Sequence, residues 1–162
     1  MSYNIQAQEI KFPESFRGDA SLFEGMKIAE IRQEAQTKYD IHKNPGLISD
    51  ASKTKGFLMS GKIKNVKAVY FEMYEDVEEP KMDCGFEVAQ FASVEELNKI
   101  LPQLDEKWCD GAYLTLENYM IIVGCDGYKN FEERIDNMST YFQKKLGEKL
   151  YQNRRKSKQE EN

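Results

Sequence analysis

The sequence predicts an α+β fold: an antiparallel sheet of about five strands with helices packed on one face. Three observations predict it. Three segments open with the same helix-start signature, a capping residue three positions before a glutamate. Between them lie short runs rich in β-branched and aromatic residues, bounded by turn residues. The order of runs is helix, strands, helix, hairpin, helix, which differs from the regular strand–helix alternation that builds a parallel sheet.

Each element has its own justification. Tyr3, Ile5 and Ala7 alternate with polar residues, so residues 3–12 are expected to form a strand. Ser21 and Glu24 mark a helix start, and the first helix should run from about Leu22 to Tyr39. Its apolar stripe is Ile28, Ile31, Ala35 and Tyr39. Residues 43–56 are polar, contain the turn Asn44-Pro45-Gly46, and read as a long loop. Val66–Tyr74 ("VKAVYFEMY") and Gly85–Ala92 ("GFEVAQFA") read as strands. The stretch Glu72–Asp83 between them is acidic and holds Pro80, which fits a solvated hairpin loop.

Ser93 and Glu96 cap a second helix that carries Leu97, Ile100, Leu101 and Leu104, with Pro102 expected to end or kink it. Ala112–Val123 breaks at Glu117-Asn118 and reads as a hairpin. The third helix follows Asn130, with Phe131, Ile135, Met138, Phe142, Leu146 and Leu150 at helical spacing. Its early acids and late lysines suit the helix dipole. Residues 1–151 are expected to form a single domain, and residues 152–162 a charged, disordered tail.

Composition narrows the function. Apolar residues make up 40% of the 162, enough for a folded core. The net charge of −5 lacks the footprint of a general nucleic-acid binder. No basic run precedes an apolar run near Met1, and no apolar stretch is long enough to cross a membrane, so neither a secretory signal nor a membrane partner is expected. Three cysteines, Cys84, Cys109 and Cys125, read as reduced thiols in a cytoplasmic setting.

The tripeptide Cys-Asp-Gly occurs at Cys109 and again at Cys125, flanking the hairpin. Its meaning depends on register. A two-residue loop, Glu117-Asn118, sets Leu116 against Tyr119 and sends Cys109 and Cys125 to opposite faces. A three-residue loop that adds Leu116 sets the two cysteines opposite each other. Asp-Gly is ordinary turn chemistry, so the favoured reading is two turns at the ends of one hairpin.

No catalytic set emerges. His42 is the only histidine, which excludes every site needing two, and it sits in polar sequence. Gly56–Lys62 ("GFLMSGK") has phosphate-loop spacing, but Ile63 stands where a magnesium-holding Ser or Thr belongs. Lys53, Lys55, Lys62 and Lys64 could make a basic contact, or simply solvate a loop and an edge strand. No metal or cofactor is expected.

The expected function is therefore a non-enzymatic protein-binding module, an adaptor or inhibitor, acting through an open sheet face, alone or as a homodimer. Val69, Phe71 and Met73 fall on one face of their strand, and Ala68, Tyr70 and Tyr74 on the other, with Glu72 the main polar interruption. A sheet buried on both faces fits the same periodicity. The alternative function is a small-molecule-binding domain with a pocket between the sheet and the first helix. Tyr39, Tyr70, Tyr74 and Trp108 are its candidate lining residues, and Phe71 joins the candidate binding set.

Overall fold

The computed structural model describes residues 9–80, 83–104, 112–126, 131–146 and 151–154. The elements run β1 (Met26–Ile28), α1 (Gln33–Tyr39), β2 (Gly46–Ile48), β3 (Val66–Asp76), β4 (Asp83–Phe91), α2 (Val94–Leu104), β5 (Ala112–Leu116), β6 (Tyr119–Asp126), α3 (Phe131–Leu146) and β7 (Tyr151–Arg154). Short 3₁₀ turns lie at Glu14–Phe16, Ala20–Phe23, Ala51–Thr54 and Met59–Lys62. The strands form one antiparallel sheet in the order β1-β3-β4-β6-β5-β7. β2 pairs with β3 beside β1, so these two short strands line one edge with α1 looped out between them.

The α+β antiparallel class is the one the sequence predicts. The layering differs: helices cover both faces. Ile31, Ala35, Leu97 and Ile100 pack with Val69, Phe71, Ala89, Met120 and Ile122 on the first face. Ile135, Met138 and Phe142 of α3 pack with Phe86, Val88, Leu114 and Ile121 on the second, where Phe16 and Phe23 join them. Near-continuous apolar runs in the central strands make this possible, because both parities carry side chains worth burying. The sheet face expected to be open is therefore closed.

Several elements shift. Only Gln33–Tyr39 of the expected first helix is helical. Gly25, at φ +77°, ends the preceding 3₁₀ turn, and Met26–Ile28 pair with Tyr74–Asp76. Pairing the open edge of β3 satisfies backbone groups that a longer helix would leave bare. Of the expected strand at residues 3–12, residues 3–8 lie outside the described residues and residues 9–12 are not strand. β7 reaches to Arg154 and covers the outer edge of β5, so Gln152–Arg154 are not a disordered tail. The second helix starts as predicted: Ser93 Oγ accepts from the Glu96 N–H at 3.2 Å, and Pro102 lies inside the helix.

The hairpin has the two-residue loop. Leu116 pairs with Tyr119, and Glu117 takes φ +52°. Asn118 fixes the turn to the end of β4, donating from Nδ2 to the Phe91 carbonyl at 2.6 Å. Cys109 and Asp110 lie outside the described residues. Cys125 faces a different partner: it pairs across the sheet with Cys84, and the two form a disulfide with Cα atoms 4.0 Å apart. The expectation of reduced thiols fails for this pair, and the cytoplasmic setting loses the support they gave it. The sequence hid the pair because 41 positions separate the two cysteines and only the β4–β6 register brings them together.

Candidate functional site

A groove of about 420 Å³ opens between α1 and the far end of β3. Its floor comes from Ile31, buried just before α1, from Ala35, buried on α1, and from Met73 on β3. Tyr39 ends α1 and meets Phe57 with ring centroids 5.4 Å apart, making an aromatic wall. Gly56, at φ +99°, passes close beneath it, where a Cβ would come within 3.2 Å of the Tyr39 hydroxyl. The rim is charged. Glu30, Glu34, Glu75 and Asp83, with Arg32 and Lys38, line the opening. Lys27 pairs with Glu75 at 3.2 Å, and the Lys38 ammonium sits 5.2 Å from the Tyr39 ring centroid.

Two buried carboxylates flank the centre of the sheet. Period-two geometry sets Tyr70, Glu72 and Tyr74 on one face of β3. Glu72 is only 3% exposed. Both tyrosine hydroxyls donate to it, Tyr74 at 2.5 Å, and the Gly18 N–H donates to Oε1 at 3.0 Å. Burial, followed by the contact with Glu72, pushes both phenol pKa values well above their ordinary range. Those phenols therefore stay protonated donors. The expectation that the acidic stretch from Glu72 is solvated fails at its first residue. Glu78 and Glu79 are exposed, and their N–H groups donate to Asp76.

Glu87, on β4, projects from the opposite face. Its carboxylate accepts from the Met59 N–H at 2.7 Å and the Ser60 N–H at 2.8 Å. The residue keeps some exposure overall, yet burial of its carboxyl raises the pKa above the ordinary glutamate value. Met59 and Ser60 belong to the stretch with phosphate-loop spacing. That stretch does cradle an acidic group, but it is the carboxyl of the chain's own Glu87. Gly61 serves packing there: a Cβ would come 2.7 Å from the Lys55 nitrogen.

The residues singled out from sequence scatter. Tyr39 lines the groove. Tyr70 (4% exposed) and Tyr74 (7%) lie in the core of the second face, and Phe71 (0%) in that of the first. None of the three offers a free binding surface. Trp108 lies outside the described residues. Lys53, Lys55, Lys62 and Lys64 are exposed around the loop that Glu87 anchors. His42 is exposed, as expected, and meets Asp40 at 2.8 Å.

Sequence reasoning missed Glu72, Glu87 and the charged rim. For Glu72 a signal existed: a lone acid two residues from a tyrosine on either side of a strand shares their face. Among the described residues, no group of three or more His, Cys, Asp or Glu is arranged to hold a metal, and no helix is long and apolar enough to cross a membrane. No family model, no curated protein and no solved structure matches the chain.

Proposed function

We propose that the protein binds a small amphipathic molecule in the groove between α1 and β3, without transforming it. The groove itself carries this reading. Its volume of about 420 Å³ falls within the range of small-ligand sites, and it joins an apolar floor to a few polar groups. Tyr39, Phe57 and Met73 would take the apolar part, and the charged rim would orient the polar end. Among the described residues no Ser, Thr, Cys or His lines the groove, which weighs against hydroxyl-, thiol- or imidazole-based catalysis there. Protein binding on an open sheet face is less favoured as the primary reading, because α3 and the segment around Phe16 and Phe23 cover that face, and any partner there would first have to displace what covers it.

A thermal-shift screen against a broad metabolite panel tests the reading. A true ligand at 100 times its dissociation constant adds about 2.7 kcal/mol of stability. Tyr39→Ala should weaken that ligand about tenfold, the scale of one lost aromatic contact. Tyr74→Phe, on the opposite face, should leave affinity unchanged. No shift across the panel, or a shift indifferent to Tyr39→Ala, would sink the proposal.

A further inference from the structure

The segment Phe12–Phe23 lies on the second face of the sheet without joining it. Its backbone hydrogen bonds are mostly local: Ser15 to Lys11, Phe16 to Pro13, Arg17 to Glu14 and Leu22 to Asp19. The rest of the molecule holds it by side chains. Phe16 is fully buried against Tyr119, with centroids 4.9 Å apart. Phe23 stacks on Tyr74 at 3.6 Å and 10°. Between these anchors, Glu72 accepts the Gly18 N–H, while the Tyr141 hydroxyl (2.7 Å) and the Lys145 ammonium both donate to the Arg17 carbonyl. Gly18 suits this point, because a Cβ would come 2.7 Å from Glu72 Oε2 and 3.2 Å from the Phe86 ring and would push against the carboxyl that holds the segment.

Aromatic anchors in pockets, with backbone groups between them held by side chains, are contacts that a bound peptide also makes. The seat is also imperfect. A cleft of about 280 Å³ remains between Leu22 and Phe23 on one side and Arg134 and Met138 of α3 on the other. We propose that the second face is a peptide-binding groove, that Phe12–Phe23 is its intramolecular occupant, and that a partner segment binds by displacing it. The partner chemistry follows from the occupant: two phenylalanines seven positions apart, with a glycine two residues after the first. The site is separate from the groove beside α1 and does not depend on it.

The occupant has the advantage of attachment. A tethered segment competes at high effective concentration, so an external peptide sees an affinity reduced by the fraction of open groove. The test uses a fluorescently labelled peptide of residues 9–25 and the full chain. The double variant Phe16→Ala, Phe23→Ala should bind this peptide at least about tenfold more tightly than the unaltered chain, because its own segment is crippled. A peptide carrying Gly18→Val should lose at least about tenfold in affinity, the cost of a clash in a close-packed site.

A folded double variant that ignores the peptide up to about 1 mM, the weak end of measurable affinity, overturns the proposal. Equal binding of the Gly18→Val peptide does the same. A stable dimer made by exchange of the segment, with no peptide bound, would assign the groove to a second copy instead. If the double variant does not fold, hydrogen exchange on the unaltered chain decides. Segment amides that exchange through a separate opening, at least about tenfold faster than β3 and β4, support displacement; one shared rate overturns it.

Discussion

Glu72 and Glu87 sit on neighbouring strands, one residue pair apart, and serve opposite faces of the sheet. Glu72 lies across from Phe86, and Glu87 across from Phe71. Each acid pins a strandless segment onto its face: residues near Gly18 in one case, the Met59–Ser60 turn in the other. Their support differs. Two of the three donors to Glu72 are tyrosines on its own strand, so most of the site exists before the N-terminal segment docks. Both donors to Glu87 are amides of the loop it holds. One carboxylate is built into the sheet, whereas the burial of the other depends on its loop. The first should be costly to remove and the second should control local mobility.

Glu72→Ala should therefore show the largest effect. It orphans two buried hydroxyls and one amide, and each orphaned group costs ~1–3 kcal/mol. The hydroxyls can rotate toward other acceptors, so the losses do not sum, and about 3 kcal/mol in urea unfolding is expected. A loss under about 1 kcal/mol, the value of one ordinary hydrogen bond, would break the comparison.

Glu87→Ala should cost less, about 2 kcal/mol for two orphaned amides. Its sharper signature is local. Lys53, Lys55, Lys62 and Lys64 surround the released loop, so limited trypsin digestion should accelerate there and not at β3. Unchanged cleavage would mean that packing of Leu58 and Ile63 holds the loop without the carboxylate.

These two sites also mark where the sequence was legible. The core strands announced themselves through β-branched and aromatic runs, and the hairpin through its break at Glu117-Asn118, but its register stayed open between two loop lengths until the pairing of Leu116 with Tyr119 settled it. Of the four residues the sequence offers as pocket lining, Tyr39 borders the groove, Tyr70 and Tyr74 lie in the core, and Trp108 lies outside the described residues. What stayed hidden depends on long-range pairing. Apolar residues on both parities of β3 left the buried faces undecided, so Tyr70 and Tyr74 read as surface when they line a core. Cys84 and Cys125 meet only through the β4–β6 register, and Glu87 meets Met59 only through a loop with no periodic signal. The edge segments β1, β2 and β7 are three or four residues long, too short for a pattern, and form because a neighbouring strand needs its edge paired.

The smallest effect separates the chemistry of Glu87 from its packing. Burial raises its folded-state pKa above the unfolded value, so between those two values the folded chain holds a proton that the unfolded chain has released. Its contribution to stability is complete below the ordinary glutamate range and is lost as pH rises through the folded pKa. Glu87→Gln keeps an oxygen for one of the two loop amides but does not titrate. Every other titrating group is common to both proteins and cancels in their difference. The unaltered protein should therefore hold its greatest advantage over Glu87→Gln in acid and lose part of it by neutral pH, read from urea midpoints of both proteins across that range. If the advantage grows with pH instead, the Met59 and Ser60 amides stabilise the anion by more than burial opposes it, and Glu87 would then resemble a helix cap more than a buried acid.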